Sequence, residues 1–110
     1  MSDLATLDAY QLAALRTINP ALSDDQLLLD AAAGLAEEAG EVLGHARKHV
    51  LQGRVLDRDA VTKELGDALW CLAITAHMIG VPLSEVARVN EEKLRARHPH
   101  GFAARPAGAP

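Results

Sequence analysis

The stretch GLAEEAGEVLGHARKHV, Gly34 to Val50, decides how this chain folds. Its apolar and small residues recur at helical spacing, and Glu37, Glu38 and Glu41 stand among alanines and glycines where a helix would face a core. Acidic side chains belong on the wet face of a helix, so these need a reason to share an apolar stripe. At about 100° per residue, Glu38 and Glu41 lie within roughly 60° of each other. Leu27, Ala31, Gly34 and Val42 fall on the same side.

A second stretch, KELGDALWCLAITAHMIG from Lys63 to Gly80, repeats the pattern. Glu64 and Asp67 have the same offset as Glu38 and Glu41, and they share their face with Ala60, Val61, Ala68, Cys71 and Met78. Both acidic pairs therefore point inward. Burying four unpaired carboxylates costs several kcal/mol each or forces them to take up protons. No basic residue lies on the same stripes to neutralise them. A divalent cation removes the difficulty, and an all-carboxylate donor set selects Mg²⁺ or Mn²⁺ over zinc. A di-iron centre is the rival, but it wants Glu-x-x-His on two helices. Here those positions read Glu-x-x-Glu and Glu-x-x-Asp, although His45 follows Glu41 on the same face.

Working outward, the punctuation predicts four helices. Thr6 caps the first, from Leu7 to about Thr17, and Asn19-Pro20 ends it. Ser23 and two aspartates open the second, which runs to about Gln52 with Gly53 beyond it. Asp57 caps the third, which ends at Ile79-Gly80, and Ser84 caps the fourth, which ends near His98-Pro99. The expectation is an all-α four-helix bundle forming a single domain over residues 1–102, with 103–110 a disordered tail. From Ala68 to Ile79 the third helix is apolar nearly all round, as fully buried helices are. Four short helices cannot cover it, so a second copy of the chain is expected to complete the core.

Composition narrows the function. The 110 residues carry a formal charge of −4 and no face rich in Lys and Arg, which argues against a nucleic-acid partner. One cysteine, Cys71, fits a reducing cytosol. No basic leader precedes an apolar run, and no run is long enough for a bilayer. These features predict a cytoplasmic protein with no membrane partner. On the fourth helix Asn90, Lys93 and Arg97 form one polar stripe. It reads either as ordinary wet surface or as a grip for phosphate. Arg47 and Lys48 near the end of the second helix could serve likewise, or simply compensate its dipole.

Together these segments resemble the MazG-like nucleoside triphosphate pyrophosphohydrolases. The resemblance rests on EEAGE (Glu37–Glu41) and ELGD (Glu64–Asp67), which follow that family's E-E-x-x-E and E-x-x-D signature. It extends through YQLAALRT, ARKHVLQG and NEEKLRARHPHGF, from Tyr10 to Phe102. It implies an all-α enzyme that converts a nucleoside triphosphate to the monophosphate and pyrophosphate. Glu38, Glu41, Glu64 and Asp67 would hold Mg²⁺, and Lys48, Asn90, Lys93 and Arg97 would contact phosphate and sugar. The family works as dimers or tetramers. Three positions depart from its pattern: His98 stands where tyrosine is frequent, Arg47 where lysine is usual, and Cys71 where an aromatic is common.

The chemistry suits the residues. Hydrolysis between the α and β phosphates needs neutralised charge, a positioned water and a base. Glu37 or Glu38 is the candidate base, and Glu37, turned about 100° from Glu38, could instead be supporting or exposed. Trp70 either stacks a base or packs the core. Alternatives on the same fold are a phosphoribosyl-ATP pyrophosphatase or a dUTPase-like enzyme. A helical metal-binding or oligomerisation module without turnover is the reading from another class.

Overall fold

A computed structural model describes residues 6–103, so the tail expected to be disordered lies almost wholly outside the described residues. The chain forms four helices: α1 (Leu7–Leu15), α2 (Asp24–Gln52), α3 (Arg58–Met78) and α4 (Leu83–Arg97). No strand occurs among the described residues, and the all-α expectation holds. No single described helix is long and apolar enough to cross a membrane.

The helix ends follow local chemistry. Thr6 caps α1 through Ala9 N–H, and Asp57 caps α3 through Ala60 N–H. Ser23 and Gln26 exchange side chain-to-backbone bonds in a full capping box at the start of α2. Gly53, at φ 65°, closes α2 in the left-handed region that suits glycine. α1 ends at Leu15, short of the Thr17 expected from sequence, because the Thr17 hydroxyl and amide both turn back to the Ala14 carbonyl.

The expectation that Ser84 caps α4 is wrong. Pro82 holds the N-cap position and has no side chain to bond with, and Ser84 already lies inside the first turn. The cap comes from another helix: Asp8 of α1 accepts from the Ser84 amide at 2.8 Å and from its hydroxyl at 2.6 Å. A carboxylate there also meets the positive end of the α4 dipole.

α3 is the hub. It packs against α1, α2 and α4, whereas the backbone of α2 approaches α3 alone. Ala73 and Ile74 are fully buried at the centre, with Ala14, Ala31 and Leu83 around them. A buried glutamine ties this core together. Gln11 donates to the carbonyls of Ala73 and Val81 and accepts from the Leu83 amide, all at 3.0–3.3 Å. α1 is thereby fixed to α3 and to the turn before α4.

α4 leaves α3 at 99°, so its last turns run away from the α2–α3 pair. The result is an open shape, with a radius of gyration of 17.5 Å. A closed domain of this length has about 13 Å. Leu29 and Leu43 on α2, Leu65 on α3 and Val89 on α4 are all more than half exposed.

Candidate metal centre

The acidic cluster is built one turn beyond a close approach of α2 and α3. Gly34 permits the approach: a Cβ there would stand 2.8 Å from Cys71 Sγ. Helical spacing then places Glu38 and Glu41 beyond Gly34 on the same face of α2, opposite Glu64 on α3. One carboxylate oxygen from each of Glu38, Glu41 and Glu64 lies within 4.8 Å of the other two. Glu38 and Glu64 are half-buried and Glu41 is exposed, so the cluster opens to solvent on one side.

The electrostatics of three converging carboxyls are unfavourable as they stand. Hydrogen bonding with Glu64, and then its charge, hold the Glu41 carboxyl above the ordinary glutamate range. Hydrogen bonding with Glu38 raises Glu64 in the same way. Like charges this close favour a shared proton over full ionisation. Glu38 Oε2 is also fully buried with no hydrogen-bond partner. A buried carboxylate oxygen without a donor is costly. This orphaned acceptor and the all-oxygen donor set both fit a hard divalent cation.

Of the four sequence-predicted ligands, the fold brings three together. Asp67 is exposed and stands outside the close group, although its charge acts on Glu41 and Glu64. Glu37 is exposed on the neighbouring face of α2. His45, the ligand a di-iron site would need, does not join the cluster.

The remaining residues lie further away. Trp70 packs against the core and donates its indole N–H to Thr17 Oγ1 at 2.8 Å, which satisfies the ring within the fold. Lys48 is exposed near the end of α2, and its carbonyl receives the Gly53 and Arg54 amides. Asn90 borders an apolar hollow with Leu69, Leu72 and Val86, and Arg97 borders another with His98, His100 and Phe102. On α4 Arg88 pairs with Glu85 and Glu92, and Arg95 with Glu91. Lys93 and Arg97 enter no salt bridge among the described residues. Because α2 and α4 do not meet, one chain does not bring this cationic stripe against its own carboxylates.

Sequence reasoning missed Tyr10. Its ring is partly buried against the core, and burial, followed by the charges of Asp67 and Cys71, raises its phenol. An isolated tyrosine on a short amphipathic helix gives no signal of that neighbourhood.

Fold and site define an all-helical protein whose two longest helices converge carboxylates suited to a hard cation. The MazG nucleotide pyrophosphohydrolase domain matches residues 26–102, and the chain belongs to that family. The match leaves α1 outside. The chain is 36% identical over 104 residues to the Gene 37 protein of Mycobacterium phage L5, covering 86% of this chain and 90% of that one. It is 32% identical over 75 residues to the uncharacterized protein YvdC of Bacillus subtilis (strain 168), covering 60% and 71% respectively. No solved structure matches.

Proposed function

We propose that this protein hydrolyses nucleoside triphosphates, (d)NTP and water giving (d)NMP and pyrophosphate, in a Mg²⁺- or Mn²⁺-dependent reaction. The observation that carries the reading is the orphaned Glu38 oxygen inside a three-carboxylate cluster, in a chain of this family. Glu38, Glu41 and Glu64 would hold the ion, and Asp67 would complete the ligand set. When bound, the ion supplies neutralisation of phosphate charge and a lowered pKa for a water ligand.

The chain's own residues do the rest. Water adds to the α phosphorus, the bond from that phosphorus to its bridging oxygen breaks, and pyrophosphate leaves with the electron pair. Glu37 or Glu38 takes the proton from the water. Glu37 has the advantage of exposure, whereas Glu38 is needed as a ligand. Lys48, Asn90, Lys93 and Arg97 would bind phosphate and sugar. Trp70 has its indole N–H bonded to Thr17, so any contact with a base would have to use the rest of its ring.

The working form is proposed to be a homodimer or homotetramer. α2 supports this, because it has a second apolar face opposite the one packed on α3. There Leu29, Ala36, Gly40 and Leu43 are all exposed. A second copy seated on that face would cover it and allow the cationic α4 stripe of one chain to approach the carboxylates of the other. A cytoplasmic role in clearing non-canonical or surplus dNTPs fits such an enzyme.

The test is a hydrolysis panel of canonical and modified dNTPs and NTPs with Mg²⁺ or Mn²⁺, quantifying monophosphate and pyrophosphate. Wild type should release both in equal amounts from at least one substrate, and Glu41→Gln should not. Binding of metal with no turnover on any nucleotide, phosphoribosyl-ATP and dUTP included, would overturn the proposal in favour of a non-catalytic module.

A further inference from the structure

The inward stripe of α2 does not end at the carboxylates. His45 and His49 continue it, one and two turns beyond Glu41, at the spacing that stacks side chains on one helix face. His45 is half-buried on the side facing α3, and its charge acts on Glu41. His49 is exposed, with its ring fixed by the loop that follows the helix: Nδ1 lies 2.7 Å from the Arg54 carbonyl. A carbonyl oxygen only accepts, so Nδ1 carries the proton and the lone pair of a neutral ring sits on Nε2. That arrangement, in which the far nitrogen is anchored on a backbone carbonyl and the near one is left free, orients histidines for metal.

We infer that His45 and His49 form an accessory site for a borderline divalent ion such as Zn²⁺, Ni²⁺ or Cu²⁺, separate from the hard-ion centre. Two imidazoles four residues apart on a helix chelate such ions, and nitrogen donors prefer them to Mg²⁺ or Mn²⁺. The pair lies about 6 Å along the helix per turn-length step of four residues, so His45 adjoins Glu41 while His49 stands clear of the carboxylates.

Calorimetric titration of the full chain with Ni²⁺, in excess Mg²⁺ to saturate the carboxylates, tests this without any nucleotide. Wild type should bind one Ni²⁺ per chain. His45→Ala and His49→Ala should each weaken binding at least about tenfold, with unchanged helical circular dichroism, and Glu38→Gln should leave it intact. His49→Asn, a neutral and soluble replacement at an exposed position, serves if an alanine variant misfolds. Absence of Ni²⁺ binding in wild type, equal binding by the histidine variants, or loss of binding in Glu38→Gln would each overturn the inference. The last result would place the ion among the carboxylates. Failure of the pyrophosphohydrolase assay would not touch it.

Discussion

Gly34 and Cys71 face each other so closely that a single added methyl would stand 2.8 Å from the sulfur. No methyl sits comfortably at that distance, and Cys71 is buried, so its side chain has little room to yield. The contact sets the spacing of α2 and α3 one turn before Glu38. Gly34→Ala should therefore separate the helices where the carboxylates converge. The expected cost is about 1–3 kcal/mol from overpacking, read as a lower Tm, together with weaker Mn²⁺ binding. Cys71→Ala removes the sulfur, so the double variant should recover most of both losses. A double variant as impaired as Gly34→Ala would show that this contact does not set the helix spacing.

Gln11 offers a test of how α1 and α4 are held. It is 7% exposed and makes three hydrogen bonds to the backbone of α3 and the turn beyond. Gln11→Leu keeps the volume but leaves the Leu83 amide and the Val81 carbonyl without the bonds Gln11 makes to them. Buried groups left unpaired cost roughly 1–3 kcal/mol each, so loss of most of the folding cooperativity at moderate temperature is expected. Thermal unfolding followed by circular dichroism measures it. A fall in Tm of only a degree or two would mean that water or neighbouring groups replace the glutamine.

These two residues mark what could and could not be read from sequence. Periodicity placed Glu38, Glu41 and Glu64 on facing stripes because side-chain direction on a helix is local geometry. The caps at Thr6, Ser23 and Asp57 were legible for the same reason. The cap of α4 was not, because Asp8 reaches Ser84 across 76 residues of chain. Gln11 resembles any polar residue on a surface helix until the fold buries it. Asp67 shares a stripe with Glu64 yet stands exposed outside the close group, which an offset identical to that of Glu38 and Glu41 does not reveal. The relation of α4 to the carboxylates depended on the 99° turn at Gly80–Pro82, which no helical periodicity encodes.

The carboxyl cluster dictates a pH dependence whose sign follows from its pKa values. Glu41 and Glu64 are both raised above the ordinary glutamate value of 4.5, chiefly by hydrogen bonding with a neighbouring carboxyl. A folded pKa above the unfolded one means that the native state holds its proton more tightly. The stabilisation is complete below pH 4.5 and is lost as pH rises through the raised values. Metal-free protein should therefore show a declining contribution from this cluster as pH increases above that point. Added Mg²⁺ or Mn²⁺ must displace those protons, so its effect on Tm should grow over the same interval. Thermal melts from pH 4 to 8, with and without Mn²⁺, measure both. A metal-induced rise in Tm that does not change with pH would exclude these two glutamates as ligands.

Glu38→Gln separates the cost of the cluster from its use. The substitution keeps the shape of the side chain, removes one of three converging charges and turns one oxygen into an amide donor facing Glu41 and Glu64. Without metal, the variant should melt at a higher temperature than wild type, because repulsion and the stranded buried acceptor are both relieved. With Mn²⁺, wild type should gain stability and the variant should not, since a neutral amide is a poor ligand for a hard cation. Hydrolysis should fall about a hundredfold or more in the variant, the scale seen when a group that stabilises transition-state charge is removed. The signature is opposite movement: stability up, metal response and turnover down. Lower metal-free stability in Glu38→Gln, with an undiminished response to Mn²⁺, would identify Glu38 as a structural side chain and shift the metal to the exposed side of the cluster.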